Sequence, residues 1–295
     1  MRAVAKGGAL GMGTAGIDRT VLLVVPGALF VILLFVYPFL YGLFLSFAPK
    51  QGDLLANYTK FFSTPYLSET IATTLWIALP ATLINVGVAL PIAFRLRRST
   101  SMQRILTGLL VVPITLGTVL VAEGLLTYLG PQGWFSRILM AAGIVETPVH
   151  LTHNYWGVLL SLVITGFPFA FLLILSYITG IDPVLAQAAA TLGASPAQRF
   201  RHVFLPLLAP GLAIAFCLAF VQAFSVFPSA VLLGAPAGPT RVISIAAYQA
   251  AFEDYDYSMA SAIAMIMGAV QLAIVVVVLA MRGVSYRGPA GGAKG

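Results

Sequence analysis

The sequence predicts an all-α protein that crosses a membrane about six times, and three observations carry that prediction. The chain is 60% hydrophobic and only 8% charged, with a mean hydropathy of +0.98, which is more apolar surface than one soluble core buries. The apolar residues fall into long runs, and about 20 of them are enough for one helical crossing. The basic residues stand at the ends of those runs and do not line one amphipathic face, so the net charge of +7 is topological information and not a nucleic-acid footprint. A single cysteine, Cys217, excludes a disulfide framework and a cysteine-rich metal site.

Taken in order, residues 1–20 are glycine-rich with Arg2, Lys6 and Arg19 and read as a cytoplasmic tail. The apolar run behind them is too long, and lacks a small-residue cleavage site, for a removable signal peptide. The first span is expected over Val21–Phe47, with Pro26 and Pro38 as places to bend. Ala48–Ser68 reads as a polar outer loop, and its sequon Asn57-Tyr58-Thr59 is too short a match to carry weight. Spans two and three are expected over Glu69–Phe94 and from after Arg104 to Leu129. Their prolines, Pro80, Pro91 and Pro113, are tolerated in a membrane where neighbours or water satisfy the freed carbonyls.

Gly130–Tyr155 reads as an outer loop with room for a short helix. The fourth span is expected over Trp156–Thr179, broken near Gly166 and Pro168, the fifth over Leu207–Leu233, and the sixth over Ser258–Met281. Gly234–Tyr257 is expected to be another outer segment, and 282–295 a second glycine-rich cytoplasmic tail. This map puts Arg2, Lys6, Arg19, Arg95, Arg97, Arg98, Arg104, Arg199, Arg201, Arg282, Arg287 and Lys294 on one side. It leaves Lys50, Lys60, Arg137 and Arg241 on the other, so the positive-inside rule places both termini in the cytoplasm.

Between spans four and five lies a segment too polar for lipid and too organised for a plain connection, within the loop 180–207. Ala186 to Ala190 favour a helix, Gly193 is a natural helix stop, and Ser195 with Pro196 supplies an N-cap and a first-turn proline. A second helix then carries Arg199, Arg201 and His202 before Pro206 opens the next apolar run.

Here the chain resembles a known family. Inner-membrane permease subunits of ABC importers carry E-A-A, three residues, G, nine residues, I-x-L-P in one cytoplasmic loop. This chain reads Gln187-Ala188-Ala189, Gly193 and Val203-Phe204-Leu205-Pro206 at that spacing, departing at Gln187, where the family has an acid, and at Val203. Phe224-Ser225-Val226-Phe227-Pro228, Thr240–Tyr248 and Tyr257–Ala262 also resemble the polyamine, opine, phosphonate, iron and thiamine branch. The likeness runs from about Thr70 onward.

The resemblance implies a type I importer permease (MetI-like) fold in a bacterial inner membrane. It also implies ATPase coupling through Gln187, Ala188, Ala189, Leu192, Gly193, Ala194, Arg199, Leu205 and Pro206. The partners it implies are two ATP-binding subunits, a second permease that is similar or identical, and a periplasmic or lipid-anchored solute-binding protein. ATP and Mg then belong to the partner subunits, in keeping with the lack of a G-x-x-x-x-G-K-[ST] phosphate loop here. The solute is expected to be a small charged compound, polyamine-like by resemblance.

Five polar residues within spans are candidates for the solute path. Glu123 is the one acid inside a span. Ionised at mid-bilayer it would cost roughly 2.5 to 3.5 kcal/mol, so it either meets a cationic solute or partners a hydroxyl such as Thr118 or Thr127. Gln222 with Ser225, and Thr115 with Thr118, lie three apart and so share a helix face; they read as path lining or as interhelical hydrogen-bonding glue. His150, His153 and Glu146 form no convincing metal set, and no nucleophile–base unit supports a membrane hydrolase. An ion-gradient-driven secondary carrier is the alternative from another class, with Glu123 as its first suspect.

Overall fold

Residues 19–97 and 101–285 are described by a computed structural model. Six of its helices are long and apolar enough to cross a membrane, over Val24–Ser46, Pro65–Arg95, Ser101–Ala141, Tyr155–Thr179, Pro196–Phe224 and Tyr257–Met281. No strand occurs among the described residues. Of the expected tails, 1–18 and 286–295 lie outside the described residues, as does Arg98; 19–20 and 282–285 are helical and continue spans one and six.

The first crossing joins α1 (Arg19–Val31) and α2 (Tyr37–Ser46) through a π-helical turn, Ile32–Val36. The bend belongs to Pro38 and not to Pro26. A proline lacks its N–H and crowds the carbonyl four residues back, here that of Leu34, and the wider turn relieves the crowding, with Tyr37 N–H bonding Ile32 O. The same device returns at Phe200–Phe204, two residues before Pro206.

A short helix, α3 (Ala56–Ser63), interrupts the expected polar loop, and α4 (Pro65–Arg95) starts four residues earlier than the charge pattern suggested. Asn57 is buried and donates to Ser46 O and Ser258 Oγ at 3.2 and 2.6 Å, so it serves as a joint between spans one and six. The third crossing, α5 (Ser101–Leu129), begins before Arg104 and is broken at Gly117; α6 (Trp134–Ala141) follows it. Continuous helix runs through α7 (Tyr155–Thr179), against the expected break at Gly166 and Pro168. Both residues are buried, and neighbouring α4 holds the backbone there through Asn85 Nδ2, which donates to Leu162 O at 3.1 Å.

Next come α8 (Pro183–Thr191), α9 (Pro196–Arg199) and α10 (Leu205–Phe224). The fifth crossing therefore ends at Phe224, nine residues short of the expected Leu233. The residue before a proline avoids helical backbone, and Phe227, at φ −132°, separates α10 from α11 (Pro228–Leu232). In the segment expected to be an outer loop, α12 (Ile243–Tyr248) and a π turn, Gln249–Glu253, pack into the core. Ile243 N–H is capped from a neighbouring helix by Thr74 Oγ1 at 2.9 Å. The last helix, α13 (Tyr257–Ser285), is opened by Asp256, whose Oδ1 accepts from Met259 N–H.

Lipid tails offer apolar side chains no hydrophobic gain, so close packing holds membrane helices together and small residues let them approach. On α4, Ala78, Ala81, Ala89 and Ala93 are fully buried. They meet α7 and α10 in two clusters, one around Phe220, Phe224 and Ile263 and the other around Phe171, Ile174 and Leu208. The centre is thus α4, α7 and α10. Within the chain, 61% of an 18-residue apolar stretch of the fourth span is buried, against 6% of such a stretch in the third and none in the first.

Candidate coupling surface and translocation path

The loop between spans four and five is fixed by its own caps. Asp182 accepts Val184 N–H at 2.9 Å and Pro183 fills the first turn of α8. At the other end Gly193 takes φ +84°, its N–H bonds Ala190 O, and Ala194 N–H bonds Ala189 O, both at 3.0 Å. This pair of bonds is the Schellman arrangement, and the left-handed residue it needs is why glycine stands there. One residue later a capping box begins α9: Gln198 N–H donates to Ser195 Oγ and Ser195 N–H to Gln198 Oε1.

Two helix ends are therefore locked back to back, enclosing an open notch lined by Ala189, Leu192, Gly193, Ala194, Arg199 and His202. Ala186 anchors α8 to the core beside Phe204. Val184, Leu185 and Ala188 face outward, and Leu192 is 89% exposed. Uncovered apolar residues are thus gathered on the outward face of the loop. Gln187 is exposed as well, and it also lines a cavity of about 150 Å³ with Arg97, Thr179, Arg199 and Phe204. The expected separate second helix is corrected: α9 runs through the π turn into α10, so Leu205 and Pro206 lie within one continuous span starting at Pro196. Arg199, Arg201 and His202 form its polar end.

The path candidates are gathered differently from the helical spacing. Gly117, at φ +76° and ψ +164°, lies between Thr115 and Thr118, so those two do not share a helix face; Thr115 Oγ1 bonds Val112 O at 2.8 Å. Gln222 and Ser225 do not form a pair either. Ser225 ends α10 and receives Gln271 Nε2 of α13 at 2.7 Å, while Gln222 is exposed. Glu123 is exposed on α5. Thr127 bonds its backbone carbonyl and not its carboxylate, which has no hydrogen-bond partner among the described residues.

Backbone that leaves helical geometry inside a membrane is tolerated only in contact with protein or a water-filled cavity. Gly117 and Ser225–Phe227 are two such places. Residue types alone missed Gly117 because glycine is ordinary in apolar runs; Pro113 four residues earlier was the available signal. Gln271 was missed as a lone amide in an apolar stretch.

The charge map assigns Arg241 to the outer side, yet it is 6% exposed. Its Nη1 donates to Tyr66 O at 2.8 Å, its Nε and Nη2 donate to Gln249 Oε1, and its guanidinium lies 3.8 Å over the Tyr66 ring. Burial lowers its pKa from the usual range, and Tyr66, Glu253 and Asp254 oppose that shift. Among the described residues no cluster of three or more metal-ligating side chains occurs.

A bundle of six helices long and apolar enough to cross a membrane, with one surface loop capped into a notch and two helix breaks beside polar side chains, has the build of a polytopic membrane protein. The chain belongs to the family of binding-protein-dependent transport system inner membrane components, whose model matches residues 82–287. It is 30% identical over 205 residues to the spermidine/putrescine transport system permease protein PotB of Haemophilus influenzae, covering 67% of this chain and 71% of that one. To the sulfate transport system permease protein CysT of Salmonella typhimurium it is 27% identical over 219 residues, covering 74% and 77%.

A bacterial ABC transporter involved in the import of the acidic polysaccharide alginate has the same fold, with a TM-score of 0.74, 22% identity and coverage of 90% and 96%. The MetNI methionine ABC transporter matches with a TM-score of 0.59 and 16% identity over 75% of this chain and 96% of its own. The chain is therefore an ABC importer permease subunit of the inner membrane with the MetI-like fold, and the gradient-driven carrier is set aside.

Proposed function

We propose that this permease couples ATP hydrolysis by partner subunits to import of a small charged solute, a polyamine-like cation being favoured. The carrying observation is the notch between α8 and α9, rigidly capped, apolar on its outer face and built on the residues at the motif spacing. In this reading Gln187, Ala188, Ala189, Leu192, Gly193, Ala194 and Arg199 form the surface that seats an ATP-binding subunit, and Leu205 and Pro206 carry it into span five.

Because Ala186 and Phe204 pack against α4 and α7, a pull on α8 moves the spans as a body and does not flex a loop. Both termini and the notch face the cytoplasm, as the basic residues suggest. Two ATP-binding subunits, a second permease and an external solute-binding protein complete the assembly, with ATP and Mg held by the former.

The solute path follows the two helix breaks, with Thr115, Thr118, Gln222, Ser225 and Glu123 beside it. An exposed carboxylate on a span that its own chain hardly covers needs water, a partner or a cation. This supports a cationic solute, as do the PotB relatives, whereas the CysT relatives support sulfate. Uptake of labelled putrescine, spermidine and sulfate, in the native cells with and without the chain, tests the reading. We expect ATP-dependent polyamine uptake that Glu123→Gln reduces by about ten-fold, the loss of roughly one charged contact. Sulfate uptake, or polyamine uptake indifferent to Glu123→Gln, contradicts the solute assignment.

A further inference from the structure

We infer that the cavity beneath α8 is an anion site for a phosphate group, and that its natural occupant is the headgroup of an anionic phospholipid. The cavity is walled by the ends of α4 and α7, by α8 and by Phe204, so it lies where the bundle meets the bilayer surface. Two cations line it and no acid does. The Arg97 guanidinium is stacked 4.1 Å over Phe94 and 4.4 Å over Phe204, which fixes the plane of its donor fork. From the loop side comes Arg199, whose Nε is shielded from solvent with no hydrogen-bond partner among the described residues. A guanidinium donates in a planar fork suited to phosphate oxygens, and a buried donor left without an acceptor carries its full desolvation penalty.

Gln187 completes the lining with an uncharged amide, able to donate to an oxyanion but carrying no charge to neutralise Arg199. The nearest acid on the same loop, Asp182, is outside the lining and caps α8. The lining is mixed, with Ile178, Ile181 and Phe204 beside the arginines, as suits a headgroup whose glycerol end remains near hydrocarbon. Basic pockets between membrane helices on the cytoplasmic side bind anionic headgroups on this principle. The notch seating the ATPase is the outward face of the same loop, so an occupant here would brace α8 from behind.

The full chain in mild detergent is titrated with phosphatidylglycerol and with phosphatidylcholine and read by native mass spectrometry. Thermal midpoints in inorganic phosphate and in chloride are read in parallel. We expect phosphatidylglycerol to be retained over phosphatidylcholine, and retention to fall roughly five-fold for Arg199→Gln, about one charge's worth. Gln187→Glu should lower it equally by supplying an internal carboxylate, without disturbing α8, since the two residues have near-equal helix propensity. A midpoint raised by inorganic phosphate and lost in Arg199→Gln, with no lipid preference, keeps the phosphate site but assigns it to free phosphate. Equal retention of both lipids together with indifference to phosphate, or retention unchanged in both variants, overturns the site. No ATP-binding subunit enters these measurements, so their failure leaves the coupling reading standing.

Discussion

Arg241 shows how much one side chain can carry in a bundle that has little hydrophobic driving force between its helices. Its fork spans from Gln249, in the π turn after α12, to the start of α4 at Tyr66, closing the end of the molecule opposite the α8–α9 loop. Hydrogen bonds to a charged group contribute about 1.5 to 3 kcal/mol each, and removal takes away the bridge from Gln249 to Tyr66. Arg241→Gln is therefore expected to lower the thermal midpoint of the detergent-solubilised protein by several degrees. Arg241→Lys is expected not to restore it, because a point charge cannot bridge both partners while stacking on a ring; a wild-type midpoint in either variant contradicts this role. The sequence marked Arg241 only as an exception to the charge bias. Burial of a lone arginine depends on partners 175 and 8 residues away, and no local pattern encodes those.

At the scale of elements, the contact of α4 with α7 lies at the packed centre of the bundle, and Gly166 sits close against Asn85 within it. A Cβ at position 166 would stand 2.4 Å from Asn85 Nδ2, so Gly166→Val must push the helices apart or break the bond to Leu162 O. Overpacking of this kind destabilises by about 1 to 3 kcal/mol, and the expected result is a lower thermal midpoint with membrane insertion unchanged; an unaltered midpoint contradicts the close contact.

Composition read this region as a helix break because glycine and proline weaken isolated helices, whereas here the neighbour's amide and close packing override propensity. The six crossings themselves were legible, since each is long, apolar and bounded by polar residues. The breaks at Gly117 and Ser225–Phe227 were not, because apolar residues flank both and hydropathy is blind to backbone direction. The α8–α9 turn was the most legible part of all. Its Gly193, Ser195 and Pro196 each specify one backbone state, and the structure uses each as its chemistry dictates.

The molecule as a whole is unevenly covered. Spans two, four and five form a packed centre, while spans one and three leave nearly all of their apolar surface and Glu123 uncovered within the chain. The proposed half-pathway role fits this unevenness, since a second permease on the open side would cover what the chain itself leaves bare.

The most direct test is co-purification of an ATP-binding subunit with the solubilised protein from its native cells, for the wild type and for a variant with Ala189→Asp and Gly193→Val. The second change forces a β-branched residue into left-handed backbone, a strain of about 1 to 2 kcal/mol, and the first places a charge in the notch; neither lies in the packed centre. The account predicts that the wild type retains the ATPase and that the variant reaches the membrane in equal amount without it. Retention of the ATPase by the variant, or no ATPase with the wild type under gentle conditions, would contradict the assignment of the α8–α9 notch as the coupling surface.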